Sequence, residues 1–214
     1  MFRFQSTDYV MEPASLLRSM SNKLDKFETA NPEAKTGAWT LAVQSALEEL
    51  GEQTEKGIAH LCARTEKKVG TGEFLLDAVW WRRETPGAVE HIALAVESEF
   101  AGWAKNRGDV AVEVAKDFEK LLVVKSPLKL MIFCSWYGKG DTDLSPMRDK
   151  IWSTLKNYIV QYSHHIEGEK YLFLDTGVKD NRKAWIFEIP QSGSVSMEEI
   201  EKGCVSLDLK GQVA

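Results

Sequence analysis

The order of elements in this sequence predicts an α/β fold, a central mixed sheet flanked by helices. Three observations predict it. Strand-length apolar runs come partly as a pair joined by a short turn and partly separated by amphipathic helices, and strand pairs mixed with crossover helices build a mixed sheet. A long helical pattern separates the run at 91–100 from the run at 127–136, which is the signature of a parallel βαβ unit. One run, "PLKLMIFCSW", is apolar almost throughout, as a central strand covered on both faces is. The 214 residues are expected to form a single domain, 1–214, with a core over 36–190 and a helical N-terminal extension over 12–30.

Pro13 after Glu12 opens the first helix, and Leu16, Leu17, Met20, Leu24 and Phe27 fall at helical spacing. "TANPEAKTGA" interrupts it. A second helix carries Trp39, Val43, Ala46, Leu47 and Leu50 on one face, with Gly51 near its end. Residues 57–69 fit a strand or a helical turn. "EFLLDAVWW" (73–81) and "HIALAVESEF" (91–100) read as strands, with Pro86-Gly87 marking the turn between them. The long helix covers 106–124, with Val110, Val114, Phe118, Leu121 and Leu122 as its apolar stripe. Ser145-Pro146 starts another helix, lined by Ile151, Leu155, Tyr158, Ile159 and Tyr162. "KYLFLDTGV" and "KAWIFEIP" make two further strands, and the C-terminal tail carries a short helix at most.

Composition sets outer bounds on function. Hydrophobic content of 43% and charged content of 28% suit a soluble globular chain. No apolar run approaches the length of a membrane span, and "MFRFQSTDYVMEP" lacks the build of a signal peptide, so no membrane partner and a cytoplasmic location are expected. Cys62, Cys134 and Cys204 show no CxxC spacing and read as small buried side chains. A net charge of −5 requires any nucleic-acid ligand to be met by a local basic patch.

The stretch that carries chemistry is "ALAVESEF". A good strand former runs into two glutamates separated by one serine, and strand alternation puts Glu97 and Glu99 on one face, about 7 Å apart. Ile92, Leu94, Val96, Ser98 and Phe100 take the other face. If the two strands pair as a hairpin, Asp77 can lie beside Glu97. Three carboxylates gathered there repel one another and resist desolvation, and a divalent cation removes both penalties. Oxygen ligands with no Cys or His nearby select magnesium, with manganese as a substitute, or calcium over zinc. On the next helix Glu113, Lys116, Asp117 and Lys120 fall on or near one side. Glu113 and Asp117 read as a solvated face. Lys120, beside the apolar stripe, can reach over the sheet and offset developing negative charge.

The succession "EFLLDAVWW", "IALAVESEF" and "DFEKLL…PLKLMIF", from Glu73 to Phe133, resembles the PD-(D/E)XK phosphodiesterase superfamily and its restriction-endonuclease-like core. The resemblance implies a nuclease, a hydrolase of phosphodiesters in DNA or RNA, that uses Mg2+. By position, Asp77 matches the family's first metal-binding acid and Glu97 its second. Glu99 falls where the family has a lysine. In some restriction enzymes a second glutamate stands there as base or metal ligand, and in other branches the lysine migrates to the following helix, where Lys120 would serve. The family's glutamate on the first core helix has no counterpart at Val43 or Gln44, and Gln44 or Glu48 could substitute. The alternative is a catalytically degenerate domain that binds or assembles. Cleavage of both strands of a duplex would call for a homodimer.

Other candidates read mostly as structure. "YGKGDTD" (137–143) lacks the GK[ST] ending of a phosphate loop. His164 and His165 are adjacent and make a poor metal pair. In "WWRR", Trp80 and Trp81 could stack a base while Arg82 and Arg83 grip a phosphate, or the tryptophans are core and the arginines solvated. Lys67, Lys68, Lys125 and Lys129 read as surface charges.

Overall fold

The structure, a computed structural model, describes residues 11–54, 58–62, 76–82, 91–100, 109–135, 145–177, 181–190, 195–207 and 209. Among them run α1 (Pro13–Ala30), α2 (Thr36–Glu52), β1 (Ile58–Cys62), β2 (Ala78–Arg82), β3 (His91–Glu99), α3 (Asp109–Val123), β4 (Leu128–Phe133), α4 (Ser145–Gln161), β5 (Lys170–Asp175), β6 (Lys183–Glu188), α5 (Met197–Gly203) and β7 (Val205–Leu207). The strands form one mixed sheet in which spatial order follows chain order, β1 to β7. The pairs β3–β4 and β4–β5 are parallel and the other four antiparallel.

The two parallel steps are the βαβ crossovers through α3 and α4, and both helices lie on one face of the sheet. Crossovers of one hand that advance in one direction must do so. Their apolar stripes pack on Ala95, Met131, Phe133, Tyr171 and Phe173. The opposite face is covered by α1 and α2, which bury Leu16, Leu17, Met20, Leu24, Val43 and Leu47 against Trp80, Leu94, Val96, Leu130 and Leu172. Each such side chain contributes roughly 1.5–3 kcal/mol by leaving water. α1 starts where Glu12 accepts hydrogen bonds from the N–H groups of Ala14 and Ser15, and Pro13 occupies its first turn.

Several elements differ from the sequence expectation. The strand expected from residue 73 begins at Ala78, so Asp77 immediately precedes β2. The tail adds a strand, β7, paired to β6, beyond the short helix α5. Ile92 packs with the α3 side and not beside Leu94. Trp80 pairs with Leu94 and Trp81 with Ile92, which leaves Ala93 as the extra residue of a bulge and reverses the alternation before it. Trp80 and Trp81 are both buried, one on each face of the sheet, so they are core and offer no base-stacking surface. Lys129 is no surface charge: β4 is buried along its whole length, and the lysine is enclosed with it.

Candidate functional site

β3 sits between antiparallel β2 and parallel β4, and its carboxyl end is where ligands commonly bind in open α/β sheets. From the bulge onward alternation holds: Leu94 and Val96 enter the α1–α2 core and Ala95 the α3 core. Glu97 and Glu99 therefore face α3. Glu97 is 1% exposed, and Glu99 is half-buried.

α3 descends antiparallel to β3, so its successive turns meet successive strand residues. Glu113 and Asp117 come near Glu99, and Asp117 shares a hydrogen bond with it. One turn on, Lys120 Nζ lies 2.6 Å from Asp117 Oδ1 and 3.2 Å from Glu97 Oε2. Glu113 is held by Lys116 at 2.6 Å. From the β2 side, Asp77 Oδ2 accepts the backbone N–H of Ser98 at 2.9 Å and its hydroxyl at 2.7 Å. Asp77 is thus fixed between the two glutamates along the chain.

Glu97 Oε1 is buried and has no hydrogen-bond partner among the described residues. Leaving a carboxylate oxygen so placed is costly. Burial pushes the Glu97 carboxyl up to about 8; the charge of Asp77 adds to the effect and Lys120 opposes it. Burial also pushes Glu99 up to about 8, reinforced by its hydrogen bond with Asp117 and by the charges of Asp117, Glu113 and Asp77. Burial works against the charge of Lys120, yet the bond to Asp117 and the Glu97 carboxylate hold its pKa above the usual lysine value.

Of the residues singled out in the sequence, the structure brings Asp77, Glu97, Glu99 and Lys120 into one electrostatic cluster. It does not bring in α2. Gln44 is buried in the layer behind the opposite face of the sheet, and Glu48 is exposed, so the pair share neither an environment nor the carboxylates' side. The Arg82 side chain, Arg83, Lys67, Lys68 and residues 137–143 lie outside the described residues. Asp117 corrects the reading of α3 as a solvated face, because it joins Lys120 to Glu99. The signal was present in its i, i+3 spacing to Lys120 on a helix that must return over β3.

The donor set has the chemistry a hard divalent cation takes: carboxylate oxygens, one of them buried and unpartnered. Among the described residues no three His, Cys, Asp or Glu side chains converge closely enough to hold a metal by themselves. Magnesium is commonly held by one or two carboxylates, with several waters and substrate phosphate completing its shell. In comparisons with known proteins, no family model, no curated protein and no solved structure matches this chain.

Proposed function

We propose that the chain is a divalent-metal-dependent phosphodiesterase, a nuclease acting on DNA or RNA, with a restriction-endonuclease-like core. The observation that carries it is the buried, unpartnered Glu97 oxygen set among like charges at the carboxyl end of a parallel strand, with a lysine beside it. Glu97 and Glu99 would supply the one or two carboxylates that hold Mg2+ or Mn2+, with Asp77 nearby, and the ion when bound would supply Lewis-acid polarisation of a phosphodiester and a lower pKa for water.

The chain's own groups do the rest. Glu97 and Glu99 present oxygens on the α3 side of β3, where a phosphate would enter. Lys120 brings a cation to the same point and offsets charge that develops on phosphate oxygens. Glu99 serves as ligand or base in the place of the motif lysine, and Asp117 orients both Glu99 and Lys120. Asp77 ties the start of β2 to Ser98 and so fixes the spacing of the acids. A homodimer would present two such sites to a duplex.

A second reading is favoured by the absence of a converged three-ligand group among the described residues and by a glutamate at the motif-lysine position. In it the same domain binds or assembles without cleaving. Melting temperatures in EDTA, Mg2+, Mn2+ and Ca2+, for wild type and Asp77→Ala together, separate the two. A manganese-dependent rise that vanishes in the variant supports the site, and no rise in either protein supports the binding module. Under the nuclease reading Asp77→Ala and Glu97→Ala abolish metal-dependent cleavage with the fold intact. Wild-type-like cleavage by both would sink the assignment.

A further inference from the structure

At the far end of α3 from Glu99, a second buried ionic cluster surrounds Glu169. The side chains of Lys129, His165 and Glu169 are at most 1% exposed, and Tyr171 is fully buried. Gly168, at φ 80°, makes the turn that delivers Glu169 to this place, a conformation glycine adopts without strain. Lys129 Nζ lies 2.8 Å from Glu169 Oε2 and donates to the Tyr171 hydroxyl at 3.2 Å and to the backbone carbonyl of Leu122 at 3.3 Å. Two of the ammonium's three N–H donors make those hydrogen bonds, and its charge faces Glu169 Oε2 as an ion pair. On the other side, Glu169 Oε1 lies 2.9 Å from His165 Nδ1 and accepts from the Tyr171 hydroxyl at 2.9 Å. His165 Nε2 reaches the carbonyl of Ile159 at 2.8 Å, and a carbonyl only accepts, so that nitrogen carries a proton.

Leu122 and Ile159 stand in the last turns of α3 and α4, where carbonyls lose their intrahelical partners. One carboxylate thus holds two cap donors, one for each helix that covers the carboxylate face. Leu122 is two residues beyond Lys120, about 3 Å along the helix axis. We propose that Glu169 is a positioning residue: through Lys129 it fixes the last turn of α3, and with it the place of Lys120 against Glu97. This rests on the reading of the carboxylate cluster as a phosphodiesterase site. A displacement of about 1 Å at such a site can cost about a hundredfold in rate.

The test compares Glu169→Gln and the double variant Lys129→Met/Glu169→Gln with wild type. It reads amide hydrogen exchange, melting temperature and the kinetics of Mn2+-dependent cleavage. Glutamine offers one acceptor oxygen and no charge where the Lys129 ammonium and the Tyr171 hydroxyl meet. In Glu169→Gln, amides 120–124 are expected to exchange at least tenfold faster while those of β4 and β5 hold, with kcat down tenfold or more and KM within twofold. The double variant removes the buried charges together, so it should regain melting temperature without regaining kcat, which a merely structural role would not allow. Unchanged exchange at 120–124, or a kcat that recovers together with the melting temperature, overturns the proposal. A wild-type chain that cleaves no nucleic acid overturns the reading of the carboxylates and the catalytic half of this one. The exchange comparison then still decides whether Glu169 anchors α3.

Discussion

Glu97 and Glu169 are the same residue type, each 1% exposed, each facing the α3–α4 layer and each within reach of one lysine. Their surroundings are opposite. Glu169 has the Lys129 ammonium 2.8 Å from Oε2, while Oε1 accepts from the Tyr171 hydroxyl and lies 2.9 Å from His165 Nδ1. Glu97 has one donor, on one oxygen; its other oxygen has no partner among the described residues, and the like charges of Asp77 and Asp117 bear on it. The fold sets a lysine ammonium 2.8 Å from one oxygen of Glu169 and a tyrosine hydroxyl against the other, and it leaves Glu97 Oε1 facing no cation among the described residues, a cost that a bound ligand would remove. Local violations of good packing chemistry of this kind concentrate at functional sites.

The largest effect expected from that contrast is on stability. Glu169→Ala strands Lys129 and His165 in the core, and breaking a buried pair in this way costs about 3–5 kcal/mol, or roughly 6–20 °C in melting temperature for a domain of this size. Glu97→Ala removes a carboxyl that its burial disfavours together with some packing, and the metal-free protein should stay within about 1 kcal/mol of wild type. Paired urea titrations decide it. Equal losses in the two variants would make both clusters structural.

Next in size is the response to metal. At a free Mn2+ concentration near a hundred times its Kd, a bound ion stabilises by about 2.7 kcal/mol. The shift should be larger at pH 8.5 than at pH 6, because a cation must displace protons that Glu97 and Glu99 hold up to about 8. It should vanish in Glu97→Ala and survive in Glu169→Gln. A shift that ignores pH, or persists without Glu97, would place the ion elsewhere.

A further consequence is the pH dependence of the metal-free protein. In the unfolded chain both carboxyls ionise near 4.5, and in the folded state near 8. Between those values the folded state holds more protons, so stability falls as pH rises: the contribution is complete below about 4.5 and gone above about 8. Between pH 5.5 and 8.5 in EDTA stability should decline steadily, and a Glu97→Gln/Glu99→Gln chain should lack the decline. A wild-type profile as flat as that of the double variant would remove the case for strained carboxyls.

The contrast also marks what the sequence could convey. Alternation placed Glu97 and Glu99 on one face, and helical periodicity placed Lys120 at the edge of an apolar stripe; both are local patterns, and both hold in the structure. The βαβ step from β3 to β4 was legible for the same reason. Lys129 was not, because its burial depends on β4 being covered on both faces and on a carboxylate 40 residues later in the chain. His165 and Glu169 meet through a glycine turn that no periodicity announces. The bulge at Ala93 escaped for a similar reason: it appears only when β2 is laid beside β3. Asp117 stood on a face that looked solvated until the return of α3 over β3 turned it toward Glu99.

The smallest stability effect belongs to Lys120, and it sharpens the comparison most. Lys120 is 34% exposed, so solvent screens its pairs with Asp117 and Glu97, whereas Lys129 is enclosed. Lys120→Met should therefore change stability by less than about 1 kcal/mol, while Lys129→Met, which leaves Glu169 short of its cation, should cost several times as much. The two lysines should reverse rank in catalysis. Under the nuclease reading, losing Lys120 removes a charge from the reacting phosphate and should lower kcat about a hundredfold or more, whereas Lys129 would act only through the set of α3. Melting curves and single-turnover rates on the two variants read both rankings from the same samples. If Lys120→Met destabilises as strongly as Lys129→Met and leaves kcat unchanged, Lys120 is one more structural ion pair and the carboxylates beside it lose their catalytic partner.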